Sequence, residues 1–348
     1  MKQAKASTKY TATIMDVAKK SGVSQATVSR VLSGSGYASE DTRNKVVEAA
    51  KELHYKPHGL ARRLARSVNT TIGLIITDMI NPFYSYLADG VLDCARQLGY
   101  HVIVSATDEE PDLEKACLDV LMEERVAGII AVPTGRNHNY WQEALDLGLE
   151  LVLVDRDLPN LSNSDVILVN NFKGAFEAVS YLISLGHRRI GIITGPLSTT
   201  TGRDRLEGYL HALENANIPS EDCLIQLTSY KKEDGATAIQ NLLSLPEPPT
   251  SLFAANNILA EAAFFGIRDL GLQVPDQMSI VMFDDVPWAS LVNPQITVVS
   301  QPVYKIGYMS VELLHHRLTN NESRPIRRSV VVLEPELVLR GSCAPPRI

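Results

Sequence analysis

The stretch Ile14-Met-Asp-Val-Ala-Lys-Lys-Ser-Gly-Val-Ser-Gln-Ala-Thr-Val-Ser-Arg-Val-Leu32 decides the fold of the N-terminal part of this chain. Apolar residues at helical spacing precede Gly22, which stands where a tight turn needs a residue that tolerates positive φ. Ser24 is placed to cap a second helix with its hydroxyl. A helix, a glycine-containing turn and a capped helix form the layout that places a recognition helix in the major groove of DNA.

The exposed face of the second predicted helix supplies the candidate DNA contacts, which are Ser24, Gln25, Ala26, Thr27, Ser29 and Arg30. Arginine pairs bidentately with guanine and glutamine with adenine, so Arg30 and Gln25 are expected to carry most base readout. Ala26 can only touch a thymine methyl. Serine and threonine hydroxyls suit phosphates. The alternative is a three-helix bundle in which Arg30 is a solvated charge.

A third amphipathic helix is predicted after Ser39, with acidic residues in the first turn, where the helix dipole favours them. It ends near Tyr55 and Pro57. Its inward residues are expected to be Val46, Val47, Ala50 and Leu53.

Charge is divided unevenly along the chain. The first 68 residues hold 13 Lys and Arg against 5 Asp and Glu, whereas the remainder holds 20 against 35, and the whole chain carries −7. A basic head on an acidic body indicates a head that meets phosphates. The alternative is a flexible basic tail. We predict a disordered extension over 1–12, a helix-turn-helix domain over 13–57 and a basic linker helix over 58–69, which is too short to be stable alone in water.

From Thr71 onward, apolar segments alternate with helical stretches, which predicts parallel sheets covered by helices. The predicted strands are Ile72–Ile76, His101–Ser105, Gly128–Val132, Leu151–Val154, Ile190–Ile193, Ser251–Ala255 and Ser279–Phe283. Ligands bind at the carboxyl ends of such strands. Polar runs follow several of them, notably Asn81-Pro-Phe-Tyr84, Asp155, Gly195–Arg205, Asn256-Asn257 and Asp284-Asp285.

The sequence resembles the lactose/galactose repressor family. The resemblance is carried by Ile14-Met-Asp-Val-Ala18, Gly22–Leu32, Thr42-Arg-Asn-Lys-Val46 and Tyr55-Lys-Pro57 with Ala61-Arg62, and it continues to about Arg340. It implies that the linker is a hinge helix that enters the minor groove, with Ala61 among its contacts and Leu64 as the residue that wedges between base pairs. His58 and Gly59 depart from the family pattern, and Gly59 costs about 1 kcal/mol of helix stability relative to alanine.

The resemblance also implies a body over 70–341 that is like a type I periplasmic sugar-binding protein. Its two lobes are expected over about 70–168 with 298–329 and over about 169–297 with 330–341, so that the chain crosses between lobes near residues 169, 297 and 330. Two copies of the chain are expected to form a homodimer on a near-palindromic operator in double-stranded DNA.

By resemblance, a small-molecule effector lies between the lobes against Phe83, Tyr84, Asp155, Arg205, Tyr230, Asn256 and Asp284. The alternative for each residue is a turn or cap role. Asn257 replaces a common aspartate, and Met282 replaces a common glycine, which is expected to add bulk near the cleft wall.

Other functional classes find little support. No Walker loop, GxGxxG, HExxH or GxSxG motif occurs, so neither an enzyme nor a cofactor is expected. The four scattered cysteines indicate neither a disulfide framework nor a zinc site. No segment is apolar enough to span a membrane, and no secretory signal is found. We expect a cytoplasmic bacterial repressor, nucleoid-associated when bound, that is controlled by a sugar-like molecule. A protein co-regulator in place of the sugar is the alternative, and a dimer or a tetramer is open.

Overall fold

The computed structural model describes residues 12–33, 38–53, 55, 69–161, 163–319 and 328–347. The chain divides into two compact units, Met1–Asn69 and Thr70–Ile348, which are described separately below. The linker helix expected over 58–69, with Ala61 and Leu64, lies almost wholly outside the described residues, and so do most of the extension over 1–12 and the residues at 34–37.

Within its described residues, the first unit contains three short helices: α1 (Ile14–Ser21), α2 (Gln25–Ser33) and α3 (Glu40–Glu52). A reciprocal capping box starts α1, because the Thr13 hydroxyl accepts from the Asp16 N–H and the Asp16 carboxylate accepts from the Thr13 N–H. Gly22 ends α1 at φ +71°, as the sequence predicts. Ser24 Oγ accepts from Thr27 N at 3.2 Å, so the predicted cap of α2 is confirmed.

The three helices share one small apolar core, which consists of Val17, Ala18, Val28, Val31, Val46, Ala49 and Ala50. The prediction that Val47 faces inward is wrong, since its side chain is 38% exposed. Successive residues of a helix are rotated by about 100°, so the stripe that contains Val46 continues through Ala49 and Ala50 and leaves Val47 beside it.

The second unit alternates strands with helices. Its strands are β1 (Thr71–Ile76), β2 (His101–Ala106), β3 (Gly128–Ala131), β4 (Glu150–Val154), β5 (Ser164–Val169), β6 (Ile190–Thr194), β7 (Ile225–Leu227), β8 (Ser251–Ala254), β9 (Ser279–Phe283), β10 (Thr297–Ser300), β11 (Val330–Leu333) and β12 (Glu336–Val338). Its helices are α4 (Pro82–Leu98), α5 (Pro111–Glu123), α6 (His138–Asp146), α7 (Asn171–Ser184), α8 (Thr200–Asn215), α9 (Lys232–Leu243), α10 (Asn257–Asp269), α11 (Pro287–Leu291) and α12 (Val303–Thr319).

These strands form two six-stranded sheets, one in each lobe. The first has the order β11-β5-β4-β3-β1-β2 and the second β12-β10-β9-β8-β6-β7. All strand pairs are parallel except β10 with β12. All seven predicted strands are found. The central strands are completely buried, which explains why they read as continuous apolar runs.

The chain crosses between the sheets three times. The first crossing follows Val169, the second follows Ser300 and the third follows Leu333. The boundaries expected near 297 and 330 are therefore each a few residues early. β10 pairs with β9 in the second sheet, and β11 pairs with β5 in the first. An apolar run does not reveal which sheet it joins, because pairing is a long-range choice.

Candidate functional site

A cavity of about 480 Å³ lies between the two lobes at the carboxyl ends of their strands. The structure brings all seven predicted effector contacts to its wall, namely Phe83, Tyr84, Asp155, Arg205, Tyr230, Asn256 and Asp284. This is the edge at which parallel α/β sheets bind ligands, since each strand hands over there to a loop or a helix N-terminus. The volume suits a small organic molecule.

Asp155 is the acidic group placed directly after β4. Its φ of +65° is a left-handed conformation that aspartate tolerates better than most residues and that turns the side chain out of the strand direction. Burial raises the pKa of this carboxyl to about 6; Arg156 and Arg205 oppose the shift, and Asp284 and Glu109 reinforce it. Among the described residues its nearest cation is Arg156 Nε at 3.7 Å. Asp155 therefore faces the cavity as a weakly compensated carboxyl group.

Arg156, which the sequence analysis missed, is the buried cation beside it. Its Nη1 and Nη2 donate to the two carboxylate oxygens of Glu109 at 2.7 and 2.6 Å. This bidentate pair joins the ends of β2 and β4 on the first-lobe side of the cavity. The only sequence signal was an arginine directly after a strand-end aspartate, and Glu109 lies far from it along the chain.

Arg205 is the cation on the opposite wall. Its Nε donates to Asn171 Oδ1 at 2.7 Å, and its Nη1 donates to the carbonyl oxygen of Ala255. The guanidinium Cζ lies 3.7 Å from the centroid of the Phe283 ring, which fixes the plane of the group. No partner for Nη2 is found among the described residues, so this nitrogen can donate to a molecule in the cavity.

Tyr230 covers another part of the wall, at a φ of +66°. Its ring lies so close to Gly195 that a Cβ atom there would meet Tyr230 Cζ at 1.9 Å. Its hydroxyl group is 3.1 Å from Thr201 Oγ1. Gly195 is therefore needed for the position of the ring, a role that its place in a polar loop did not reveal.

Two helix N-termini complete the wall. Phe83 and Tyr84 lie in the first turn of α4 and meet edge to face, with ring centroids 5.1 Å apart. Asn256 caps α10, and its Oδ1 accepts from Leu259 N at 2.8 Å. Asn256 thus caps α10 through its Oδ1 and also lines the cavity. A cap role and a role as an effector contact are therefore compatible for this residue.

The carboxylate of Asp284 already accepts hydrogen bonds from other groups of the protein. Its Oδ2 accepts from the backbone N–H and the side-chain Nδ2 of Asn257, at 3.2 and 2.9 Å, and its Oδ1 accepts from Gln301 Nε2 at 2.6 Å. Gln301 was not among the predicted contacts, although it lines the cavity. Its Oε1 is buried and has no hydrogen-bond partner among the described residues, and the same is true of Arg156 Nε.

Met282 does not narrow the cleft, contrary to expectation. It is fully buried in the core of the second sheet against α9 and α10 and is not part of the cavity wall. Neighbouring residues of a strand point to opposite faces, so Phe283 turns toward Arg205 and Met282 turns away.

The lobes also touch across the cavity. Lys231 Nζ is 2.8 Å from Glu110 Oε1, and Asp157 N donates to Thr200 Oγ1 at 3.1 Å. The ion pair lowers the pKa of Glu110 and raises the pKa of Lys231. The two lobes are therefore in direct contact at these points beside the cavity.

The candidate DNA contacts are presented by α2 in the first unit. The side chains of Ser24, Gln25, Ala26 and Arg30 are exposed, and those of Thr27 and Ser29 are half-buried. Within the described parts of the chain, no cluster of His, Cys, Asp or Glu could hold a metal ion, and no helix is long and apolar enough to cross a bilayer.

The fold and the site define a class of protein: a helix-turn-helix head attached to a two-lobed body with a ligand-sized cavity. Comparisons with known proteins agree. Residues 13–58 match the model of bacterial regulatory proteins of the lacI family, and residues 179–343 match a periplasmic binding protein-like domain. The regulator DegA of Bacillus subtilis is 35% identical over 96% of this chain and 98% of its own. The repressor PurR of Haemophilus influenzae is 33% identical over 95% and 98%.

Solved structures give the same result. The Lac repressor dimer bound to operator and an anti-inducer superimposes with a TM-score of 0.78 at 27% identity, over 96% of this chain and 100% of that chain. The transcriptional regulator CelR in complex with cellobiose superimposes with a TM-score of 0.73 at 28% identity, over 95% and 99%. The chain belongs to the lacI family and is a DNA-binding transcriptional repressor, not an enzyme.

Proposed function

We propose that this repressor binds its operator as a cytoplasmic homodimer and that a sugar or sugar derivative in the cavity sets its affinity for DNA. The observation that carries the proposal is the cavity itself, because Asp155 and Arg205 each bring a weakly satisfied polar group to its wall. A sugar hydroxyl both donates and accepts, so adjacent hydroxyls can bridge such groups in pairs.

Aromatic side chains support the same ligand class. Phe83, Tyr84 and Tyr230 line the cavity, and aromatic faces stack on the apolar faces of sugar rings. The cellobiose bound to CelR is consistent with this choice.

On the DNA side, two copies of α2 occupy successive major grooves, and the candidate contacts are Ser24, Gln25, Ala26, Thr27, Ser29 and Arg30. The paired hinges, with Ala61 and Leu64, grip the minor groove between them. Ligand binding changes the angle between the lobes and so biases the hinge. Ligand and DNA are then coupled reciprocally, typically by about 1–3 kcal/mol.

The experiment that tests this function is operator selection from random DNA with the purified protein, repeated with a panel of sugars and nucleosides. We expect a near-palindrome whose affinity changes with one compound, and the direction of the change distinguishes an inducer from a corepressor. A palindrome that no compound affects would assign control to a protein co-regulator. If no sequence were enriched, the proposed role of α2 would be wrong.

A further inference from the structure

A second polar cluster joins two residues of the cavity wall, Asn81 and Asp284, to Asn257, which is not part of that wall. Asn257 is the first residue of α10 in the second lobe and is only 1% exposed. Its Nδ2 donates to Asn81 Oδ1 of the first lobe at 2.9 Å and to Asp284 Oδ2 of its own lobe at 2.9 Å. A single buried side chain thus reaches both lobes.

The orientation of this amide is fixed by its partners. Both hydrogens of Nδ2 are used, and a rotation of 180° would place Oδ1 against two acceptor oxygens. Asn81 Oδ1 cannot donate a hydrogen bond. It also accepts from Phe83 N at 3.0 Å, and this second bond caps α4. The bond between the lobes therefore requires a donor at position 257.

An aspartate at position 257 cannot replace this donor, because its carboxylate only accepts hydrogen bonds. Its carboxylate would lie about 3 Å from the Asp284 carboxylate, where like charges repel strongly because the site is buried. Its contact with Asn81 would join two acceptors. The bond between the lobes at this position therefore depends on the amide group of Asn257.

The hydrogen bond from Asn257 to Asn81, called the clip below, joins two elements that carry cavity residues. Asn81 caps the helix whose first turn holds Phe83 and Tyr84, and Asn257 directly follows Asn256. We propose that Asn257 is a positioning residue that holds the two lobes together in the absence of ligand, so that loss of its amide loosens every other contact across the cleft. Its consequence for operator binding rests on the function proposed above, but the clip itself does not.

The test compares two isosteric variants of the full chain without ligand or DNA. Asn257→Asp removes the donor. Asn81→Asp is the matched control, because it adds the same negative charge at the other end of the same bond and also lies at a helix N-terminus, yet its carboxylate still accepts from Phe83 N and from Asn257 Nδ2. The readout is hydrogen exchange of the Asp157 backbone amide, which donates to Thr200 across the cleft and is far from residue 257 in the sequence.

We expect exchange at Asp157 to be roughly three- to tenfold faster in Asn257→Asp than in the wild type, as for the loss of one hydrogen bond. Exchange in Asn81→Asp should be accelerated clearly less, because its added carboxylate is repelled by Asp284 but keeps the bond from Asn257 Nδ2. Equal acceleration in both variants would show that added charge is the cause, and acceleration confined to residues 256–260 would show a local cap; either result overturns the proposal, as does no change at all. If Asn257→Asp does not fold by circular dichroism, Asn257→Ala removes the amide without a charge and is judged by the same criteria. Because no operator or effector is used, failure of the operator selection leaves this test intact.

Discussion

The guanidinium of Arg156 lies over the ring of Tyr230, with Cζ 5.3 Å from the ring centroid, although the two residues belong to opposite lobes. The same guanidinium holds Glu109 through two hydrogen bonds. One buried cation therefore joins an ion pair within the first lobe to an aromatic wall of the second.

Breaking the Arg156–Glu109 pair should destabilise the fold. Arg156→Met leaves Glu109 without its cation, and we expect a loss of about 3 kcal/mol in the free energy of unfolding. The double variant Arg156→Met with Glu109→Gln should recover part of this loss, because it leaves no unpaired charge. Urea unfolding of the two single variants and the double variant measures the coupling; strictly additive losses would contradict the pairing.

Asp155 should give the stability a specific pH dependence. Its pKa is raised by burial to about 6, against about 3.9 in an unfolded chain, so between these pH values the native state holds a proton that the unfolded chain has released. The free energy of unfolding therefore falls as pH rises through this window. Asp155→Asn, which tolerates the same positive φ, should be more stable than the wild type above about pH 6, by up to about 3 kcal/mol.

The Asp155→Asn advantage should disappear below about pH 4, where the aspartyl group is protonated in both states. Urea unfolding at a series of pH values checks this. An advantage that does not change with pH would mean that the titration of Asp155 is not its source.

Arg205 should contribute to ligand affinity because its guanidinium group is held in one orientation over the Phe283 ring. Arg205→Lys keeps the charge but loses the planar group that stacks on Phe283, so the affinity for the compound found in the selection should fall roughly 10- to 100-fold. Titration calorimetry measures this. Arg203→Lys is the control on the same helix, where an exposed arginine pairs with its neighbour Asp204, and it should bind like the wild type. Equal losses in both variants would remove the special role of Arg205.

Arg30 should carry base readout on α2. Arg30→Ala should cost roughly 1–3 kcal/mol of operator affinity and relax base preference at one position of each half-site. Repeating the operator selection with the variant checks this. Arg43→Ala, an exposed arginine on α3, should leave the selected sequence unchanged. A selected operator that is identical for Arg30→Ala and the wild type would assign Arg30 to a solvated surface.

The caps and turns of the head follow from local chemistry, which is why the sequence predicts them well. Ser24 caps α2 and Gly22 adopts positive φ because these preferences act within a few residues. The same holds for the positions of Asp155 and Asp284 directly after β4 and β9, although these strands belong to different sheets. The prediction for Val47 is wrong because a single step around the helix moves a side chain from the core to solvent.

The partners within the site could not be read from the sequence. Glu109 and Arg156 meet because β2 and β4 lie in one sheet, with β1 and β3 between them, and Asn81 and Asn257 meet because two lobes close on one cavity.

The helix-turn-helix head and the parallel α/β body thus follow from residue patterns in the chain, whereas the seven residues that reach the cavity were predicted from the resemblance to a known family. The sheets that β10 and β11 join, the face on which Met282 lies and the pairing of the buried charged groups became known from the folded structure. The physical reason is range: capping, turns and apolar periodicity act between neighbours in the chain, whereas strand pairing and buried charge compensation join residues that become neighbours only after folding.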